Sequence, residues 1–137
     1  MPPLDRFVQA QDPIYPSVLR ELRAGRKTSH WMWFVFPQIA GLGFSPTSRY
    51  YAIADLTEAR DYLEHPILGT RLRECAGLLL AAGTSDAGSI FGAIDAMKLR
   101  SSMTLFGRAA PDEPRFGEVL ARFFGGAEDP ETTRRLG

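Results

Sequence analysis

The chain has 137 residues, of which 45% are hydrophobic, and its 16 basic residues balance its 16 acidic ones. This length is typical of one domain, and the apolar fraction is sufficient to fill a single core. A chain without net charge produces no long-range positive field, so binding to nucleic acid or to an acidic membrane surface is not expected.

The sequence also lacks the features of an exported or membrane-spanning protein. The single cysteine, Cys75, cannot form an internal disulfide, and MPPLDRFVQA lacks the basic and then apolar pattern of a secretory signal. The longest apolar run, residues 31–36, is much shorter than the roughly 20 residues that cross a bilayer. We therefore expect a cytoplasmic protein that does not enter the membrane.

Apolar residues recur at helical spacing along most of the chain, which predicts an all-α fold. We expect a single domain over residues 1–137, with about seven to nine short helices around a buried aromatic segment. The first predicted helix begins near Leu4. The others cover 15–24, Ser45 to about Ile53, Asp55 or Thr57 to about His65, 67–82, one or two turns after Ser85, 93–106 ended by Gly107, 114–124 and 130–136.

The segment of residues 30–36 cannot be assigned from periodicity, because it is apolar on every face of a helix or a strand. Ser29 can cap a helix here, and Pro37 can stop one. We therefore favour a buried helix over a strand.

The helix predicted over 94–106 has polar residues on its apolar side. On a helical wheel Asp95, Lys98 and Ser102 lie in the apolar half, whereas Arg100 and Thr104 occupy the half expected to face water. A buried charge costs several kcal/mol unless it is paired, so Asp95 and Lys98 need partners. The apolar residues of that half are Ile94, Leu99, Met103, Leu105 and Phe106.

Two interpretations of these polar residues remain open. Asp95 and Lys98 are three positions apart and can pair with each other, with Ser102 bonded to its own helix, in a purely structural arrangement. Alternatively, they belong to a ligand site.

The aromatic run offers further candidates for such a site. His30 and Gln38 place hydrogen-bonding groups at its two ends, and Trp33 offers a face for a planar ring. His30 can equally be a core or capping histidine, and Trp33 can equally be packing. If a reaction occurs, His30 and Asp95 are the acid–base candidates.

A glycine-containing loop follows the aromatic run. Gly41, Gly43 and Ser45 lead into a helix, where free N–H groups and the positive dipole end suit a phosphate or carboxylate. An ordinary turn has the same pattern, and neither the dinucleotide fingerprint nor the Walker motif is present. Lys27 and Arg49 either add charge to an anion site or are solvated surface cations.

No metal or cofactor is expected. His30, His65 and Cys75 are too few for a zinc site, and the chain has no His-x-x-x-His or Cys-x-x-Cys spacing.

The sequence resembles a bacterial family known as domain of unknown function 1810, some members of which carry the label calpastatin. The resemblance covers about residues 6–126 and implies an all-helical single domain without a known reaction. We do not transfer the label, because an inhibitor of that name is expected to be largely disordered. The segments that carry the resemblance are RFVQAQ, ELRAGRKTSHWMWFVFPQIAGLG, YAI, HPILGTRLREC, IFGAIDAMKLRSSMTLF and FFGG. The two longest contain His30, Trp33, Pro37, Gln38, Asp95, Lys98, Ser101 and Ser102.

The hypothesis that follows is a pocket between segments 29–38 and 94–106 for a small anionic ligand such as a nucleotide or sugar phosphate. In this hypothesis Trp33 stacks on the ligand, and Lys98 and the glycine loop neutralise its negative charge. Gln38, Ser101 and Ser102 orient the ligand.

The alternative is a protein-interaction module without a small-molecule site. It predicts self-association and an exposed apolar patch, for which Phe123 and Phe124 are the candidates. Nucleic-acid binding requires a basic face formed by Arg20, Arg23, Arg26 and Lys27.

Overall fold

The computed structural model describes residues 3–137, and this part of the chain contains nine helices and no strand, as the periodicity predicts. The all-α fold class is therefore confirmed. The helices are α1 Asp5–Gln11, α2 Tyr15–Ala24, α3 Met32–Val35, α4 Pro46–Tyr50, α5 Leu56–Glu64, α6 Leu68–Leu80, α7 Ala87–Ala109, α8 Pro114–Phe124 and α9 Pro130–Leu136.

Helices α5 to α8 form the centre of the fold. Helix α7 packs against α5 and α8, and α6 packs against the same two helices from the other side. Helix α2 covers α6, and α9 covers α7. The apolar stripes of these helices meet in one continuous core, which includes Leu72, Leu79, Leu99, Phe106 and Phe116.

The aromatic run is mainly core. Trp31, Met32, Val35 and Phe36 are almost fully buried. The ring of Phe36 packs edge-on against Phe91 with a centroid separation of 6.2 Å. These side chains anchor the segment between α2 and α7.

The prediction of a buried helix over 30–36 is correct only for its central turn. Helix α3 covers Met32–Val35, and Ser29 does not cap it. The Ser29 hydroxyl instead donates a hydrogen bond to Glu21 Oε2 at 2.8 Å, and its N–H donates to Glu21 Oε1 at 2.9 Å. Because the Ser29 N–H and hydroxyl both donate to Glu21, the chain enters the core without a helical turn at Ser29.

Helix α4 is also shorter than predicted. Ser45 caps it as expected, since its hydroxyl accepts from the Ser48 N–H at 3.1 Å. The helix ends at Tyr50 rather than near Ile53, because Ile53 forms an isolated parallel bridge with Ile39. This bridge joins the chain after the glycine loop to the end of the aromatic segment.

Helix α7 is interrupted where the sequence suggested a break between two helices. Gly92 has φ 80° and ψ 165°, so the helix resumes only at the next residue. Asp86, not Ser85, caps the first part and accepts from the Gly88 N–H at 3.0 Å. The second part continues through Gly107 to Ala109, because the chain is restricted only by Pro111 beyond it.

The helical wheel of α7 was wrong at three positions. Thr104 is fully buried, because the segment before α9 covers it and the Asp129 N–H donates to its hydroxyl at 2.9 Å. The Arg100 guanidinium also lies against this segment and donates to Ala127 O at 2.9 Å. Ile94 is 76% exposed, because the start of this part of the helix extends beyond the core.

Among residues 3–137, none of the helices is both long enough and apolar enough to cross a bilayer.

Candidate functional site

Two adjoining pockets lie beside the aromatic segment. The larger one, called here the outer pocket, has a volume of about 460 Å³ and lies between the 33–48 segment, α7 and the start of α9. Its walls bring together residues of both segments singled out in the sequence. The predicted site residues that line it are Trp33, Gln38, Gly43, Ser45, Lys98 and Ser101.

The smaller one, called the inner pocket, has a volume of about 160 Å³ and is more enclosed. Gly41, Arg49 and Tyr51 line it, and it shares Trp33 and Gln38 with the outer pocket. The two pockets are therefore neighbouring parts of one cleft.

A charged triad lies next to the outer pocket. Asp95 Oδ2 lies 2.9 Å from Lys27 Nζ, and Asp95 Oδ1 lies 3.4 Å from Lys98 Nζ. The Lys27 side chain is only 7% exposed, whereas that of Lys98 is 22% exposed. Because two ammonium groups share one carboxylate, the triad retains a positive charge, and Lys98 is the member that lines the pocket.

Trp33 is the aromatic residue of the run that faces the cleft. It is half-buried, and Lys98 Nζ lies 4.4 Å from the centroid of its ring. A cation over an indole face is attracted by the negative face of the ring. The contact therefore holds the Lys98 ammonium at the pocket wall.

Gln38 has an unused side-chain amide. Its backbone carbonyl accepts from the Ile53 N–H at 2.8 Å, but its amide has no hydrogen-bond partner within the described chain. Gln38 lines both pockets, and a free amide, which can both donate and accept, is suited to orienting a ligand.

The two adjacent serines of α7 have different surroundings. Ser101 lines the outer pocket, and its hydroxyl donates to Met97 O at 3.1 Å and to Asp129 Oδ2 at 3.2 Å. The Ser102 hydroxyl is fully buried without a partner in the part of the chain that the structure describes. Ser102 does not line the outer pocket, so the structure does not bring it to the other candidates.

Both glycines of the loop allow close packing. Gly41 has φ 98°, and a side chain there would collide with the Arg135 guanidinium of α9. A side chain at Gly43 would collide with Ser48. The loop therefore needs glycine for reasons of packing. At the start of α4, the Ser48 N–H already donates to the Ser45 hydroxyl and is not available to an anion.

The two acid–base candidates do not meet. His30 is exposed and lines neither pocket, and Asp95 is engaged by the two lysines. Within residues 3–137, no cluster of three or more His, Cys, Asp or Glu side chains is placed to hold a metal ion.

The mouth of the outer pocket has an apolar rim that the sequence did not suggest. Phe44 is 79% exposed, Ile94 76% and Met97 49%, and all three line this pocket. Phe123 and Phe124, the candidates for an exposed patch, are instead half-buried and pack against the core. Only the three-dimensional fold brings the loop residue Phe44 to the start of the second part of α7.

Comparisons with known proteins give the family of this chain. The family described as "Protein of unknown function (DUF1810)" matches residues 2–136. The chain is similar to the crystal structure of the conserved hypothetical protein Rv1873 from Mycobacterium tuberculosis, with 53% identity and a TM-score of 0.95. That match covers 97% of this chain and 95% of the other. No protein among those with curated descriptions matches.

Proposed function

Because the chain belongs to this family of unknown function, we propose its function from the geometry of its own cleft. The protein binds a small anionic ligand, such as a nucleotide or a sugar phosphate, in the outer pocket between segments 29–38 and 94–106. The observation that carries this proposal is the charged triad. Lys98 faces the pocket with a charge that its shared carboxylate only partly neutralises.

The other walls favour a ligand with more than a negative charge. Asp129 and Glu131 also line the outer pocket, so a second anionic group is disfavoured beside them. Asp129 Oδ1 has no hydrogen-bond partner among residues 3–137, and it can accept from a ligand hydroxyl. A nucleotide or sugar phosphate has both an anionic group and hydroxyl groups.

The apolar rim covers the remaining part of the ligand. Phe44, Ile94 and Met97 are exposed without a ligand, and an apolar base or sugar face removes part of this surface from water. Gln38 orients the ligand through its free amide. In this arrangement Lys98 contributes affinity, while Gln38 and Asp129 contribute specificity.

The proposal is tested by thermal shift and calorimetric titration against nucleotides and sugar phosphates. We expect at least one compound to raise the melting temperature, since a ligand that binds only the folded state stabilises it. Lys98→Gln should weaken binding of that compound by at least about tenfold. Arg23→Gln, which removes an exposed cation on α2, is the matched control and should leave binding unchanged. Absence of any shift at millimolar concentrations contradicts the proposal.

A protein-interaction module is the second candidate, and the exposed apolar rim favours it. If the rim binds a second copy of the chain, sedimentation will show a dimer that Ile94→Asp converts to a monomer. Ile94 is 76% exposed, so this change should alter folding stability by no more than about 0.5 kcal/mol. A wild-type monomer at high protein concentration argues against self-association through the rim.

A further inference from the structure

We infer that the inner pocket is a second anion-binding subsite, formed around Arg49, and that the ligand of the cleft carries an acidic group at each end. The inference rests on the proposed function of the outer pocket and assigns the chemical class of its ligand. It requires that the inner pocket offer an uncompensated positive charge, free hydrogen-bond donors and a connection to the outer pocket.

Arg49 supplies the charge. Among the described residues that line the inner pocket, it is the only charged one, so no carboxylate competes for it there. Its guanidinium makes no ion pair or hydrogen bond within residues 3–137. An arginine presents several donors in a planar fork that matches the oxygen atoms of a phosphate or carboxylate.

The free state of Arg49 is unusual in this chain. Most of its arginines donate to carboxylates, carbonyls or hydroxyls, as Arg6 does to Tyr50 O at 2.7 Å. In the described part of the chain, three arginine side chains, those of Arg23, Arg26 and Arg49, make neither a hydrogen bond nor an ion pair, whereas Arg135 still pairs with Glu131 at 3.6 Å. Only Arg49 of these three lines a pocket. Arg49 is exposed, as Arg23 and Arg26 are, but it is the one of these three that lies at a cavity.

Two neutral groups add hydrogen-bonding capacity. The Gln38 amide is free, and the Tyr51 hydroxyl also has no hydrogen-bond partner in the described residues. Burial raises the pKa of Tyr51, with a further contribution from Tyr50, although the nearby Arg6 opposes the shift. The Tyr51 hydroxyl therefore keeps its proton and can donate to an anion.

The connection between the pockets determines the ligand class. Trp33 and Gln38 line both pockets, with Arg49 in one and Lys98 in the other. A molecule that extends past Trp33 and Gln38 into both pockets therefore has Arg49 near one of its ends and Lys98 near the other. This arrangement fits bis-anionic metabolites, such as a sugar bisphosphate or a phosphorylated carboxylic acid.

Inorganic phosphate is the minimal probe of the subsite. It is titrated in the millimolar range at constant ionic strength, and the side-chain and backbone amide signals are followed by NMR. We expect saturable shifts of the Arg49 Nε–H and the Tyr51 and Ala52 amides, and a linear drift of the Arg23 Nε–H. Arg49→Gln should abolish the Tyr51 and Ala52 shifts and preserve those of Ser101 and Met97, which report on the outer pocket.

Lys98→Gln should give the opposite pattern. If Arg49 responds no more than Arg23, or if Arg49→Gln leaves the Tyr51 and Ala52 shifts in place, the inference is overturned. The proposed function fails separately, if Ser101 and Met97 do not respond.

The requirement for two acidic groups is tested with a series of linear α,ω-dicarboxylates and their monoamides. At one chain length the dicarboxylate should bind at least about tenfold more tightly than its monoamide, because the second contact is intramolecular. Arg49→Gln should remove this preference, and Arg26→Gln should retain it. Equal binding at every chain length contradicts the bis-anionic class.

Discussion

Glu21 fixes the entry of the aromatic segment into the core. Its carboxylate accepts from the Thr28 N–H at 2.6 Å, from both the N–H and the hydroxyl of Ser29, and from Trp31 Nε1 at 3.1 Å. Burial disfavours its charge, but these four hydrogen bonds outweigh that effect and lower the pKa of Glu21 to about 2. The sequence contained one signal of a buried carboxylate, since Glu21 lies beside the apolar residues Val18 and Leu22 on α2. It did not indicate which groups bond to Glu21.

This carboxylate predicts a pH dependence of stability. Because the pKa of Glu21 is lower in the folded chain than its usual 4.5, its contribution is complete above about pH 4.5 and is lost as the pH falls toward 2. Glu21→Gln should lower the free energy of unfolding at neutral pH by about 1–3 kcal/mol. The difference from wild type should shrink between pH 4.5 and 2 in urea denaturation.

The exposed Glu118 provides the control, since Glu118→Gln should change stability little at any pH. A difference between wild type and Glu21→Gln that is the same at pH 6 and pH 3 would contradict this assignment.

Ser101 and Ser102 form a matched pair for a second test. Ser101→Ala removes hydrogen bonds to Met97 O and Asp129, so unfolding should become easier by about 0.5–1.5 kcal/mol. Ser102→Ala removes a buried hydroxyl without a partner, so stability should be unchanged or rise by about 1 kcal/mol. Both values are measured by denaturation without ligand. Equal destabilisation by the two changes would mean that the Ser102 hydroxyl is satisfied.

At the scale of elements, the interruption of α7 depends on one glycine. Gly92 has φ 80°, a conformation that other residues adopt at a cost of about 1–3 kcal/mol. Gly92→Ala should therefore destabilise the protein by this amount, although a side chain at Gly92 would meet no atom.

Gly77 is the matched control, because it lies inside α6 and also has open space around it. Gly77→Ala should stabilise the helix by about 0.5–1 kcal/mol. Thermal and urea unfolding of the two variants will give the signs of both effects. A neutral Gly92→Ala would show that the chain can continue as a regular helix through this position.

The starts of α4 and α5 could be predicted because their causes are local. Ser45 and Asp55 each bond an N–H three residues ahead, and this spacing can be read directly from the sequence. The start of α3 and the end of α4 could not be predicted, because they depend on Glu21 and on the bridge between Ile39 and Ile53. The burial of Thr104 could not be predicted for the same reason. A helical wheel of α7 does not show that the segment before α9 packs over this residue.

At the scale of the whole molecule, the charge distribution predicts that nucleic acid does not bind. Basic and acidic residues are equal in number, and Lys27 turns inward to Asp95, which leaves Arg20, Arg23 and Arg26 as an incomplete basic face. Filter binding with duplex DNA and single-stranded RNA at low salt should show no retention. Retention that the triple Arg→Gln variant abolishes would contradict this prediction.

The candidate site could be predicted only in part. Asp95 and Lys98 lie in the apolar half of the helical wheel, and this pattern indicated that α7 contributes to the site. Both residues do lie beside the outer pocket. The sequence does not predict that Lys27 is the second lysine beside Asp95, because its approach to Asp95 depends on how α2 leads into the aromatic segment. The contribution of Asp129 depends in the same way on the docking of the chain before α9.

The residues that line the outer pocket come from distant parts of the sequence, from Trp33 to Asp129 and Glu131. During translation, a nascent chain that has not yet extended through Asp129 lacks the last two of these residues. If the cleft binds a ligand as proposed, that ligand therefore cannot guide early folding on the ribosome, and it binds only chains whose synthesis has passed Asp129.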